Sequence, residues 1–255
     1  MKTLIRWALR FLPRPFLIRA SYLFMQVIKP FLHGNQVTCP VCGSSFKRFL
    51  PYGVHSRSNV LCPSCLSLER HRLIWIYLER ETDFFTAYRT VLHVAPEQCF
   101  LARFRKLENL VYMTADLESP IADYHFDLHQ IPFERDHFDA IFCNHVMEHV
   151  ADDRVVLSEI LRVLRPGGLA ILQVPLDPGL IATYEDSAIT DPRDREVHFG
   201  QKDHVRQYGT DYPDRLRGSG FQVSEWSVRE NFTPDEIEKY RLAKEEVLYI
   251  TSKPG

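Results

Sequence analysis

Apolar residues recur at helical spacing over 68–80, where Leu68, Leu73, Ile74, Ile76, Tyr77 and Leu78 share a wide face, and this spacing predicts a helix. From residue 90 onward, short apolar runs alternate with amphipathic stretches. The runs 91–95, 110–113, 138–143 and 169–174 read as strands. Between them, 97–107 reads as a helix with Pro96 at its first position, and 152–164 as a helix opened by Asp152 and Asp153. Arg165-Pro166-Gly167-Gly168 reads as the C-terminal cap of the second helix. A short helix over 212–217, closed by Gly218, and strands at 221–228 and 246–252 complete the series. Strands separated by single helices predict an α/β fold whose mostly parallel sheet is covered on both faces. The polar stretch 176–210 lacks a clear period, and a connection of that length is more often functional than a mere link.

Composition adds a bound and an asymmetry. With 255 residues, 45% hydrophobic and 25% charged, the chain has material for one medium domain plus an appendage, or for two domains. The net charge of −2 conceals a front end with nine Lys or Arg and no acidic residue before Glu69. Such a segment points to an anionic contact: lipid head groups, a phosphorylated substrate or RNA. Residues 1–33 are strongly apolar, but Arg6, Arg10, Arg14 and Arg19 interrupt them and Pro13 and Pro15 break any helix. Their longest charge-free run is nine residues, against the roughly 20 needed to span a bilayer. No unbroken apolar region with a cleavage site follows the pattern of a signal peptide. Two short amphipathic helices are expected, and two destinations stay open: a membrane surface or the face of the following domain. The expected compartment is the cytoplasm, at the inner face of the membrane under the first option.

Cysteine spacing carries the first chemistry. Cys39-Pro40-Val41-Cys42 and Cys62-Pro63-Ser64-Cys65 are separated by nineteen residues. Each pair can form a tight turn aiming two thiolates at one ion, and two such turns complete the closed tetrahedral shell of a structural zinc site. Gly43 supplies the backbone freedom the first turn requires. Cys99 and Cys143 stand singly in apolar surroundings as reduced core thiols, consistent with a reducing compartment. The expected organisation is a basic amphipathic segment 1–36, a zinc module 37–67 and a larger domain 68–255.

Within 91–175, Ile131-Pro132-Phe133, Phe138-Asp139, Met147-Glu148-His149 and Val163-Leu164-Arg165-Pro166-Gly167-Gly168 occur in a fixed order. Together they resemble the class I S-adenosylmethionine-dependent methyltransferases, specifically the type 11-like group, over about a third of the chain. The resemblance implies a Rossmann-like, mostly parallel seven-stranded sheet with the cofactor over the carboxyl ends of its central strands. It also implies that Asp116, beside Leu117, accepts from the ribose hydroxyls, and that Asp127, beside Leu128, lies near the adenine amine. Asn144 and His145 would face the cofactor's sulfur. The first loop departs from the family's Asp/Glu-x-Gly-x-Gly and reads His93-Val94-Ala95-Pro96-Glu97. No glycine occurs between Gly53 and Gly167, which excludes a dinucleotide-binding fingerprint. Ala95 keeps the turn slim, and His93 or Glu97 stands in for the usual acid near the amino group.

Methyl transfer to a hydroxyl or amine needs alignment and often a base. Candidate bases are His198, His204 and His145; Asp203, Arg206 and Tyr208 are further polar groups near the first two. The implied activity is O- or N-methylation of a small molecule, glycan or natural product. Two alternatives are an RNA methyltransferase with a zinc module and a non-catalytic, methyltransferase-like interaction protein. The acidic balance beyond residue 68 and the absence of an aromatic-plus-arginine stacking platform there disfavour nucleic acid.

Overall fold

The computed structural model of the protein describes residues 27–53 and 56–255, and most of the segment expected to form amphipathic helices over 1–33 lies outside them. The chain divides into two compact units. One comprises the residues up to Tyr77 with Phe232–Glu246; the other comprises Leu78–Asn231 with Val247–Gly255.

In the first unit, β1 (His33–Thr38) pairs antiparallel with β2 (Ser45–Phe46), and β3 (Leu50–Tyr52) with β4 (Arg57–Leu61). Helix α1 (Glu69–Glu81) follows, at the position its apolar period predicts. The helix Pro234–Tyr240 returns to this unit, opened by a capping box between Thr233 and Glu236 and by a proline in its first turn. Val37, Val41, Phe46, Phe49, Val60 and Leu68 form the small core. Arg72 is wholly buried there. Its guanidinium donates to the carbonyls of Val60, Ser67, Tyr240 and Arg241 at 2.6–3.1 Å and lies 4.6 Å from the Phe49 ring centre. A rigid fork of five N–H donors suits four converging carbonyls, which a flexible ammonium would not satisfy together.

The second unit holds β5 (Arg89–Val94), α2 (Gln98–Phe104), β6 (Leu110–Asp116), β7 (Tyr124–His125), β8 (Phe138–Cys143) and α3 (Asp153–Val163). It continues with β9 (Leu164–Ile171), β10 (Tyr184–Glu185), α4 (Pro192–Phe199), β11 (Arg206–Gln207), α5 (Tyr212–Gly218), β12 (Gln222–Ser227) and β13 (Val247–Ser252). Seven strands form one sheet in the order β12-β13-β9-β8-β5-β6-β7. The pairs made by β13 are antiparallel and the remaining ones parallel. This is the expected mostly parallel Rossmann-like sheet. The central strands β5 and β8 are buried along most of their length, as strands covered on both faces must be.

Three local expectations shift. Helix α2 is shorter than the pattern implied and starts one residue later, because Glu97, in extended conformation, is its N-cap and Pro96 precedes the cap. Strand β9 begins at Leu164, so Arg165-Pro166-Gly167-Gly168 lies inside the strand instead of capping α3. Gly167 adopts φ 72° there and donates its N–H to the Lys253 carbonyl. The aperiodic stretch 176–210 contains the β10–β11 pair and helix α4.

Candidate active site

The carboxyl ends of β5, β6 and β8 bring the first-loop residues together. His93 is wholly buried against the rings of Phe100, Phe104, Phe142 and Tyr112. Its Nε2 contacts the Glu97 carboxylate and its Nδ1 lies 2.7 Å from the Tyr112 hydroxyl. Burial pushes the Tyr112 phenol well up, so its O–H stays intact. With its proton on Nε2, the ring donates to Glu97 and accepts at Nδ1 from Tyr112. Asn144 Nδ2 donates to the other Glu97 oxygen at 3.1 Å, while its Oδ1 accepts from the Gln173 N–H at 3.3 Å. Gln173 is fixed in turn by the Val247 carbonyl and the Tyr249 N–H. His93 therefore does not itself face a ligand. It orients Glu97, the partly exposed carboxylate of the loop.

Ala95 turns the chain out of β5 at φ 47° and ties back through its N–H to the Ala115 carbonyl at 2.8 Å. Asp116 ends β6, and its Oδ1 accepts from the N–H groups of Glu118 and Ser119 at 2.9 and 2.8 Å. Those bonds fix the carboxylate and leave Oδ2 to accept from a ligand. Leu117 beside it is exposed. Asp127 lies at the surface, its Oδ1 bonded to the N–H and ring Nδ1 of His129. Hydrogen bonds from the His129 backbone, then its ring, hold the Asp127 carboxyl below the ordinary value. Leu128 is buried in the core beside it.

Two of the three candidate bases converge. His145 follows Asn144 in a left-handed conformation, and its Nδ1 lies 3.5 Å from Glu148 Oε1. His204 is buried, and its ring meets that of His149 edge-on at 4.7 Å. Burial lowers the His204 pKa, which keeps the ring neutral near pH 7. Glu148 and His149, which the sequence shows only as part of the Met147-Glu148-His149 motif with His149 a further candidate base, join the two. Adjacent Glu and His at a turn, with a further His in a polar insertion, was the available signal. His198 pairs instead with the Tyr184 hydroxyl at 2.9 Å.

Arg206 and Tyr208 are buried and structurally engaged. The Arg206 guanidinium donates to the carbonyls of Met147, Val150 and Ala151, and the Tyr208 hydroxyl to Asp153 at 2.6 Å. The insertion thus clamps the turn that carries Glu148 and His149. A cavity of about 290 Å³ opens beside His204 and Arg206, lined among others by Pro175, Leu176 and Phe199.

In the other unit, Cys39 and Cys65 hold their sulfurs 3.6 Å apart, and Cys42 and Cys62 theirs 3.7 Å apart. All four Sγ atoms lie within 4.8 Å of one another. Tetrahedral zinc with Zn–S bonds of about 2.3 Å implies sulfur separations of about 3.8 Å, so the cluster fits that ion. The two turns are built alike: the Gly43 N–H donates to the Cys39 carbonyl and the Leu66 N–H to the Cys62 carbonyl. Gly43 and Leu66 both take φ near 65°, at 67° and 62°.

Residues 80–172 match the family model described as a methyltransferase domain. This stretch is a methyltransferase domain. A Streptomyces fradiae protein described as an uncharacterized 37.1 kDa protein in transposon TN4556 is 32% identical over 93 residues, which are 36% of this chain and 25% of that protein. The chain therefore spans about a quarter of that relative's length. Among solved structures, the cyclase SpnF is 15% identical, with 92% of this chain and 95% of that chain covered at a TM-score of 0.50. A Burkholderia thailandensis 1,6-didemethyltoxoflavin-N1-methyltransferase is likewise 15% identical, covering 66% of this chain and 72% of that one at a TM-score of 0.45. The SpnF match shows the fold of the methyltransferase domain and its flanking strands. Since that protein is described as a cyclase, fold alone does not fix the reaction.

Proposed function

We propose that the chain is an S-adenosylmethionine-dependent methyltransferase acting on an oxygen or nitrogen of a small-molecule, glycan or natural-product acceptor. The observation that carries this reading is Asp116, a fixed carboxylate ending the strand next to the first loop of a methyltransferase domain. Its acceptor-only chemistry suits the two ribose hydroxyls. Glu97, held by His93 and Asn144, would pair with the ammonium of the methionine moiety, replacing the acid this loop lacks at position 93. Leu117 and Leu128 would flank the adenine, with Asp127 near its amine. When bound, S-adenosylmethionine supplies an electrophilic methyl group on a sulfonium. The protein's part is to align the acceptor, exclude water and take its proton. His145, partly exposed and next to Asn144, would be the base for that step; its exposure and its position after the β8 strand end support this reading. His204 stays neutral through burial and is the second candidate; His198 lies along the polar insertion.

The four cysteines would hold a structural zinc, since four thiolates close the shell and leave no open position. The basic front end is the one observation favouring an RNA acceptor. Transfer of labelled methyl groups from S-adenosylmethionine to hydroxylated small molecules, oligosaccharides and RNA separates these readings. Label in a low-mass or glycan product is the expected result. Label in RNA alone, falling steeply with salt, would replace the proposal by the RNA reading.

A further inference from the structure

Glu148 is an anomaly of the methyltransferase unit. Its side chain is 3% exposed, yet Oε2 is buried with no hydrogen-bond partner. A buried carboxylate oxygen left unpaired is costly, and compensation normally comes from a cation or a donor. One ligand atom each from Glu148, His149 and His204 lies within 4.8 Å of the others. The two imidazoles are already oriented. His149 Nδ1 lies 3.2 Å from the Asp203 carbonyl, and His204 Nδ1 lies 3.2 Å from the Phe199 carbonyl. Donation from Nδ1 to a backbone carbonyl leaves the Nε2 lone pair as the available ligand, the usual outer-shell support of a metal-bound histidine. The backbone beneath is held too: Arg206 donates to three carbonyls around the turn, and the Val205 N–H to the Glu148 carbonyl at 2.9 Å.

We propose that Glu148, His149 and His204 form a second metal site, distinct from the four cysteines, that binds a divalent transition cation. Two imidazole nitrogens and one carboxylate suit Zn²⁺, Mn²⁺, Fe²⁺ or Co²⁺, and such a set leaves coordination positions open. The cavity lined by His204 is the side from which an oxygen-donor ligand would approach the cation. A hydroxyl bound to such a cation is a stronger acid than a free one, which selects hydroxyl-bearing acceptors. That last step rests on the methyl-transfer reading; the metal site does not, and with a cation bound His204 has no lone pair left for a proton, so the base is then His145 or His198.

The test titrates the zinc-replete full chain with Mn²⁺ under electron paramagnetic resonance, and repeats the titration with Co²⁺ and Zn²⁺ by calorimetry. One further equivalent is expected to bind, with affinity falling at least about tenfold in Glu148→Gln and in His149→Ala. His149 is 37% exposed at its side chain, so His149→Ala decides the matter where Glu148→Gln fails to fold. No equivalent beyond the one held by the cysteines, or binding unchanged in His149→Ala, overturns the proposal. Metal binding without S-adenosylmethionine binding would keep this site and remove the methyl-transfer reading; the reverse pattern would do the opposite.

Discussion

Ala95 holds a left-handed backbone, φ 47°, at the turn where the resembling family carries glycine. An L-residue pays about 1–2 kcal/mol there, against the extra unfolded-state entropy a glycine would bring. Ala95→Gly is therefore expected to stabilise the protein by about 0.5–1 kcal/mol, read as a higher urea midpoint at unchanged slope; a lower midpoint would contradict the strain argument. Asp153 makes the opposite case. Burial alone would push its carboxyl up, but hydrogen bonds from Arg215 and Tyr208 and the charges of Arg206 and Arg215 hold it below the ordinary value. Its folded pKa thus lies under the unfolded value of about 4, so the contribution is fully present above that pH and is lost as pH falls through the folded value. Acid unfolding should steepen below about pH 4, and Asp153→Asn should flatten that limb while costing about 3 kcal/mol at pH 7. An identical acid limb in the variant would show the pair to be inert. At this scale the sequence is legible where an apolar run fixes a residue's position: Asp116 ends one strand and Asn144 follows another. The role of His93 is not legible in that way, because Phe100, Phe104 and Phe142 bury it only once strand and helix are packed.

Elements with many periodic residues were readable, and short ones were not. The helix Asp153–Val163 announces itself by its apolar face and by Asp152, whose side chain accepts from the Arg154 and Val155 N–H groups. Strand β7, two residues long, carries no period at all. The helix Pro234–Tyr240 is too short to show an apolar period, and its only sequence signal is the capping box of Thr233-Pro234-Asp235-Glu236. The two cysteine turns were readable from spacing, but the equivalence of Gly43 and Leu66 was not: Leu66 takes a left-handed position nothing in its residue type foretells. A zinc ion held by the four sulfurs would be the main constraint on β1 to β4, since the strands are short and their apolar core is small. Chelation should accordingly expose the amides of residues 33–67 to hydrogen exchange while leaving β5, β8 and β9 protected. Unchanged protection of 33–67 in metal-free protein would contradict a structural zinc.

For the whole molecule, a mostly parallel seven-stranded sheet follows from alternating strand and helix patterns together with the family resemblance; the strand order, with β13 antiparallel to both neighbours, is legible only in the structure. Less of the functional site was visible. The polar insertion lacks periodicity because its residues serve individual contacts, such as Arg206 under the Glu148 turn, and such contacts leave no repeat. No helix among the described residues is long and apolar enough to cross a membrane. The concentration of basic residues before Glu69 remains the feature by which this chain would meet an anionic surface or substrate. The central claim, that the strand ends around Asp116 hold the methyl donor, is tested most directly by calorimetric titration of zinc-replete protein with S-adenosylmethionine and S-adenosylhomocysteine. Loss of charge-assisted bonds worth about 1.5–3 kcal/mol should weaken both at least about tenfold in Asp116→Ala. Binding of both ligands with that loss is the predicted result. No binding to the wild-type chain, or equal binding to Asp116→Ala, would contradict the account.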